Sequence, residues 1–367
     1  MNLMTLVRLL VLVVVGWTVV ALGAGVLGVG ANDHATPTFY VPNPSLVDAV
    51  TLGRLDRPSS AQHRLIDRTT GHVEPLLLPA EKTWSLLSVS PWRDQHGLAE
   101  AVGRWVSFVD GEEAFCGLGL LKLPGGTLAN CLTLEILPTG KPCWVPGQAG
   151  EILFPAGDGQ LFRCNIASDV KNDRKSALQG TSHGDRDNVV VPRAVTWDNK
   201  PPGFGNVYLC DPVWSAEPAL RNFVLVALSE QKCVAGTRTH SAFKLWWLLM
   251  NDEGDTIVSA GRLTRPGQDD KKNDTRSERM PTVVVGSRGQ FGLVYLAREP
   301  DAVSWQLRTV KLEIDHARRS VAIQPEREAD TVVTDGLAIA ALVVSADAKS
   351  VHAIDIFGAH CEHSIAR

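Results

Sequence analysis

The stretch EILFPAGDGQLFRCNI (151–166) sets an apolar run, Ile152 to Ala156, against a second strand-like run beginning at Gln160, with Gly157, Asp158 and Gly159 between them. Glycine and aspartate accept the positive-φ backbone of a tight hairpin turn, so the stretch reads as strand, turn, strand. Five further stretches read the same way. They are GRWVSFVDGEEAFCGLGLL (103–121), RAVTWDNKPPGFGNVYLC (193–210), KLWWLLMNDEGDTIVSA (244–260), TVVVGSRGQFGLVYLA (282–297) and AIAALVVSADAKSVHAIDI (338–356). The turn positions Gly111, Gly159, Gly205, Gly254, Gly289 and Ala348 are separated by 48, 46, 49, 35 and 59 residues. A period of about 40–50 residues with about four short strands per unit is the signature of a β-propeller blade. The expected fold is all-β: a propeller of six blades, with seven as the alternative count. Each blade is apolar on both faces and must stack between neighbours to hide that surface. The uneven intervals, 35 and 59, imply that Gly289 marks a different turn within its blade.

Helices are not expected beyond the N-terminal region. The nearest candidate, NFVLVALSE (222–230), is short and rich in β-branched residues. Two polar stretches, 168–188 and 267–279, read as solvated loop insertions. The 367 residues are 44% hydrophobic and 21% charged, enough to bury a sizeable core. With 36 Lys+Arg against 40 Asp+Glu, the net charge of -4 offers no polycationic surface for a nucleic-acid backbone, and nucleic acid is excluded as an expected partner.

Leu9 to Ala31 contains no charged residue, with Arg8 before it and Asp33 after it. This is an export signal with its positive flank at the N-terminus, forming a hydrophobic helix over 1–31. Small residues at Val29 and Ala31 suit cleavage after Ala31, and the same run is long enough to remain as a membrane anchor. Either outcome places the rest outside the cytoplasm, in the periplasm, outside the cell, or anchored and facing outward. Residues 32–80, with Pro37, Pro42, Pro44, Pro58, Pro75 and Pro79, read as a Pro-rich tether and lead-in segment, and 81–367 as the propeller. Seven cysteines follow the leader, Cys116, Cys131, Cys143, Cys164, Cys210, Cys233 and Cys361, so at least one is not paired within the chain. They are read either as small buried hydrophobes or as contributing one or two disulfides.

GDGQLFRCNI (157–166) and SADAKSVHAIDI (345–356) resemble the Ser/Gly-x-Asp-Gly-then-strand signature of Tol-type and other WD-like propeller repeats, with Ala348 where those repeats usually carry glycine. DEGDTI (252–257) is similar to the Asp-box of sialidase-type propellers, Ser-x-Asp-x-Gly-x-Thr-aromatic, with Met250 in place of the serine and Ile257 in place of the aromatic residue. The Asp-box is a hairpin turn in which an aspartate side chain binds backbone N–H groups. Both resemblances imply a propeller, and neither brings an active site with it.

No H-E-x-x-H pattern or Walker loop occurs. Propeller sites are assembled from loops of several blades, so candidates are sought by residue type. Arg93, Arg193 and Arg279 each lie within two residues of a proline beside a predicted strand, where converging guanidinium groups would grip a carboxylate or sulfate; the other reading is a solvated or inter-blade ion pair. Trp92, Trp144, Trp197 and Trp214 would form a sugar-stacking platform or fill the space between blades. Trp144 and Trp197 are the aromatic candidates carried forward. His360, Cys361, Glu362 and His363 are consecutive potential ligands, read as a frayed tail rather than a metal site. His183, Asp185 and Asp187 lack calcium-loop spacing, and Asp252 with Glu253 makes a poor acid/base pair. No catalytic residue, metal or cofactor is expected. The expected function is an exported, non-catalytic binding or scaffold module of the cell envelope for a protein, peptide or glycan partner. The alternative is a sialidase-like, glycan-directed hydrolase or lyase using the three arginines.

Overall fold

The computed structural model describes residues 46–52, 62–93, 99–109, 112–145, 148, 150–157, 159–167, 189–201, 204–209, 213–214, 223–235, 238–263, 276–285, 291–299, 302–315, 318–323, 327–333, 339–355 and 357–365. The chain divides into two units, Met1–Thr36 and Pro37–Arg367, and every described strand belongs to the second. The leader over 1–31, the insertion 168–188, residues 267–275 of the insertion 267–279, and the turn residues Gly111 and Gly289 lie outside the described residues, whereas Ser277–Arg279 of that second insertion are strand rather than loop. Among the described residues no helix is long and apolar enough to cross a membrane.

The described strands form six sheets, met in chain order. The first is β1 (Val47–Leu52), β2 (Gln62–Asp67) and β3 (Val73–Pro75). The second is β4 (Thr83–Arg93), β5 (Ala99–Val109), β6 (Glu112–Lys122) and β7 (Thr127–Leu134). The third joins β8 (Cys143–Trp144), β9 (Glu151–Ala156) and β10 (Gln160–Asn165) to β12 (Arg193–Ala194), while β11 (Val189–Val190) runs parallel to β7 at the edge of the second sheet. The fourth orders β13 (Gly205–Leu209), β15 (Phe223–Ala235), β16 (Arg238–Met250) and β17 (Ile257–Arg262), with β14 (Val213–Trp214) also on β15. The fifth orders β18 (Ser277–Val285), β19 (Phe291–Arg298), β20 (Trp305–Asp315) and β21 (Ser320–Ile323), with β22 (Arg327–Val333) also on β20. The sixth is β23 (Ile339–Val344), β24 (Ser350–Asp355) and β25 (His360–Ser364).

Strand alternation explains how these sheets pack. On β15, Val224, Val226 and Leu228 enter a core shared with the fifth sheet, while Phe223, Leu225 and Ala227 enter one shared with the third. β16 divides its residues in the same way, Leu245, Trp247 and Leu249 to one side and Trp246, Leu248 and Met250 to the other. Each sheet is therefore a double-sided apolar layer, as expected. Similar cores join the first sheet to the second, the second to the third, and the fifth to the sixth. One more core, Val50, Leu52, Ile66, Val343 and Ile354, draws on the first and the sixth. The architecture is all-β and propeller-like.

Three details differ from the expectations. The hairpin proposed over 193–210 does not form: Arg193 and Ala194 pair with β10, whereas Gly205 opens β13 and pairs with β15. The quoted hairpins also occupy different places within their sheets: β9–β10 is central, whereas β16–β17 ends at an edge and β18–β19 begins at one. That displacement explains the uneven turn spacing. Finally, the Pro-rich segment 32–80 contains β1, β2 and β3, and Leu65 and Ile66 of β2 are buried. The helical candidate 222–230 lies largely in strand β15.

Candidate functional site

Alternating strands leave polar side chains at the margins of each apolar layer, and there they tie one sheet to the next. At the junction of the third and fourth sheets, Arg163 of β10 donates from Nε to Glu151 Oε2 at 2.6 Å and from Nη2 to Gln148 Oε1 at 2.6 Å. Its Nη1 also donates to the Glu253 carbonyl in the β16–β17 turn. Gln148 Nε2 donates to the Asp252 and Glu253 carbonyls at 3.0 and 3.1 Å, and Asn165 Nδ2 holds the other Glu151 oxygen at 2.9 Å. Burial, with the Glu151 carboxylate nearby, pushes the Cys164 thiol up to about 12.

The turn that receives Arg163 has the hairpin geometry the Asp-box resemblance implied, with Gly254 at φ 72. A different side chain organises it. Asn251 Oδ1 accepts the backbone N–H groups of Asp255 and Thr256 at 3.1 and 3.2 Å, and Asn251 Nδ2 donates to Asp255 Oδ1 at 2.7 Å. Hydrogen bonds from the Thr256 hydroxyl and the Asn251 amide hold the Asp255 carboxyl below its ordinary value. Asp252 and Glu253 point to solvent and contribute backbone carbonyls. A single parallel bridge, Thr196 to Thr256, continues the third sheet onto this turn.

The three predicted arginines fall on separate sheets, the second, third and fifth, and Trp144 shares the third with Arg193. Arg93 ends β4 opposite Ala99, and its side chain lies outside the described residues, as do those of Trp92 and Trp214. Arg193 is exposed on β12, opposite Arg163. Arg279 of β18 donates from Nη2 to the Ile339 carbonyl at 2.9 Å, tying the fifth sheet to the sixth, and its guanidinium lies 5.0 Å from the Trp305 ring centroid. Arg298 approaches the same ring at 4.8 Å. Burial, then the charge of Arg298, lowers the Arg279 pKa from its ordinary value. Trp144 is buried between the second and third sheets and donates to the Ser88 carbonyl at 3.2 Å. Trp197 meets Phe204 edge-on at 4.7 Å, and Phe204 meets Trp246 at 5.4 Å, within the core between the third and fourth sheets.

At the fourth-to-fifth junction, the buried Glu278 accepts the Leu245 N–H at 2.7 Å and Arg276 Nη2 at 3.1 Å, and the buried Lys244 donates to the Arg276 carbonyl. At the sixth-to-first junction, Arg68 Nε donates to the Val344 carbonyl at 2.9 Å, and His352 and Ala346 donate to the Arg68 carbonyl at 3.3 and 2.8 Å. The segment 360–363 is strand β25 rather than a frayed tail. Four consecutive strand residues alternate between two faces, which is why they form no common ligand shell. Among the described residues no group of three or more His, Cys, Asp or Glu is placed to hold a metal ion. His183, Asp185 and Asp187 lie outside the described residues, as do two patterns with nucleophile-elbow and dinucleotide-type spacing, Gly180-Thr181-Ser182-His183-Gly184 and Gly23-Ala24-Gly25-Val26-Leu27-Gly28.

Sequence reasoning did not find Arg163, Gln148, Asn251 or Arg68. Arg163, Gln148 and Arg68 bond backbone carbonyls of other sheets, which leave no local pattern, whereas Asn251 bonds the Asp255 and Thr256 N–H groups of its own turn, one position before the Asp252 that the Asp-box likeness singled out.

No family model and no curated protein matches the chain. Among solved structures, it is similar at 6% identity and TM-score 0.47 to a K499G mutant of NanB sialidase from Streptococcus pneumoniae, covering 89% of this chain and 66% of that one. An exo-1,5-alpha-L-arabinanase from a bovine ruminal metagenomic library shares 9% identity at TM-score 0.39, over 77% of this chain and 94% of that one. The Dos1 propeller shares 11% at TM-score 0.34, over 83% and 62%. The class defined by sheets and junctions is that of an all-β, propeller-like protein.

Proposed function

We propose that this chain is an exported, non-catalytic six-bladed propeller that serves as a rigid binding module for a protein, peptide or glycan in the cell envelope. The blade count is supported by six sheets and six shared cores, one of which joins first sheet to last. Export is supported by the uncharged run Leu9–Ala31 behind Arg8. The observation that carries the non-catalytic reading is the use made of charged side chains: Arg163, Arg279, Glu278, Lys244 and Arg68 each bond the backbone of a neighbouring sheet. A guanidinium already engaged by a carbonyl and a tryptophan face, as in Arg279, serves cohesion better than capture of an anionic sugar. Rigid sheets hold several loops in fixed relation, which lowers the ordering cost of recognition.

The experiment is a glycan array and a turnover assay on acidic glycosides with the full chain, beside isothermal titration of each partner purified from envelope extract. The reading expects saturable binding without turnover. Hydrolysis of an acidic glycoside that Arg193→Ala abolishes, with the melting temperature unchanged, would establish the hydrolase instead.

A further inference from the structure

The register of β24 on β25 pairs His352 with Glu362 and Ile354 with His360, so Ser350, His352, Ile354, His360 and Glu362 share one face of the sixth sheet. Ile354 belongs to the core shared with the first sheet, so this face lies on the seam where the first and sixth sheets meet. His352 is buried there, 1% exposed. Its Nε2 lies 3.3 Å from the Arg68 carbonyl, and because a carbonyl only accepts, the neutral ring carries its proton on Nε2. The lone pair is then on Nδ1, which faces His360 Nε2 at 2.9 Å, so His360 must donate. One backbone carbonyl thereby fixes both tautomers. The β2–β3 turn presses close against the pair: a Cβ on Gly71 would stand 2.5 Å from His360 Nε2 and 2.9 Å from His352 Nδ1.

The charged and titratable groups around the pair lie on three segments, β25, the β23–β24 turn and the β2–β3 turn, which also carries the exposed His72. On β25, Glu362 accepts from the Ser350 hydroxyl at 2.5 Å, and His363 lies on the opposite face. On the β2–β3 turn, the Arg68 guanidinium is directed to Val344, and the Asp67 carboxylate accepts the Thr69 and Thr70 N–H groups at 2.7 and 3.0 Å. On the β23–β24 turn, Asp347 pairs with Lys349 at 3.2 Å. The nearest carboxylates are thus already engaged.

We propose that the His352–His360 pair is a proton-operated latch on the seam between the first and sixth sheets, fastened when neutral and released when both rings are protonated. A first proton enters at His360 Nδ1 and leaves the bond between the rings intact. A second must enter at His352 Nδ1, where N–H would meet N–H, so the bond is lost and two like charges remain side by side. Burial and the neighbouring His352 lower the His360 pKa from its ordinary value, against a smaller opposing pull from Glu362. The unfolded rings titrate near about 6.5, so the unfolded seam takes up more protons as pH falls below that value. The stabilisation is therefore complete above about pH 6.5 and declines as pH falls through the lowered His360 pKa, while the bond between the rings is itself lost only when a second proton enters.

Hydrogen exchange of the full chain, corrected for intrinsic rates, tests this at about pH 7.5 and about pH 5. Protection of β24, β25 and the β2–β3 turn should fall about tenfold more than that of β15–β16. His360→Gln donates an N–H to the neutral His352, can turn its amide oxygen to accept from the protonated ring, and leaves no second charge beside it, so it should abolish most of that excess loss. Equal losses in seam and reference strands, or an undiminished excess in His360→Gln, would overturn the latch. If that variant fails to fold, imidazole proton NMR of the unaltered chain decides: the two rings should titrate in two coupled steps, and independent titrations at ordinary midpoints would refute the proposal.

Discussion

Arg68 and Val344, 276 positions apart, are joined by a hydrogen bond of 2.9 Å from the arginine Nε to the valine carbonyl, while the Arg68 carbonyl accepts the Ala346 N–H at 2.8 Å. One residue of the β2–β3 turn thus fastens the first sheet to the last. Arg68→Ala removes the side-chain bond and leaves a half-buried carbonyl short of a partner, at a cost of about 0.5–1.5 kcal/mol. Urea unfolding should show a lower midpoint at constant slope, and an unchanged midpoint would mean the bond is not part of the seam's stability.

The β16–β17 turn separates two neighbouring residues that the sequence pattern could not rank. Asn251→Ala removes two bonds to backbone N–H groups and should cost about 1–2 kcal/mol, whereas the exposed Asp252→Ala should stay within about 0.5 kcal/mol. Thermal melting of the two variants checks the order, and the reverse order would restore Asp252 to the role its Asp-box position suggests.

Ala348 sits at φ 57 in the β23–β24 turn, a left-handed conformation that strains a residue with a Cβ. Asp347 shapes that turn: bonds from the Ser345 hydroxyl and the Lys349 N–H hold its carboxyl down at about 2. Ala348→Gly should raise stability by about 0.5–1 kcal/mol, since glycine relieves the strain at some cost in chain entropy. A loss of stability in chemical denaturation would contradict the turn geometry.

Two glycines in strands make a matched pair. A Cβ on Gly117 would stand 1.8 Å from the Leu132 carbonyl oxygen, backbone that cannot move aside cheaply, whereas one on Gly292 would find nothing nearer than 3.5 Å. Gly117→Ala should cost about 3 kcal/mol or more, and Gly292→Ala should be neutral or gain about 0.5 kcal/mol. Melting temperatures that move together would refute the packing.

Thiol chemistry reads burial directly. Cys361 is exposed on β25, while Cys164 is buried with its thiol pushed up to about 12, so it is protonated at neutral pH. Labelling of the native chain with iodoacetamide, followed by peptide mapping, should modify Cys361 and spare Cys164 until denaturant is added. Equal labelling would place β10 outside a packed core.

The strands were legible where both faces of a sheet are apolar, because runs such as Ile152–Ala156 and Phe223–Leu228 have no polar alternation to obscure them. The first sheet was hidden for the opposite reason: in QHRLID (62–67) only Leu65 and Ile66 are buried, and the prolines around it suggested a tether. Gly205 was misread because a glycine that opens a strand and one that turns a hairpin look alike locally. Arg279 and Trp144 were visible as residue types, but their partners, the Ile339 and Ser88 carbonyls, lie on other sheets. Local spacing carries no information about such cross-sheet bonds.

Methyl-labelled NMR of the full chain tests the proposed closure of the sheets directly, through the core that unites the first sheet with the sixth. The account predicts cross-relaxation between methyl groups of Val50, Leu52 and Ile66 on one side and of Val343 and Ile354 on the other. Methyl groups of the two sets that each show contacts only within their own sheet would contradict it.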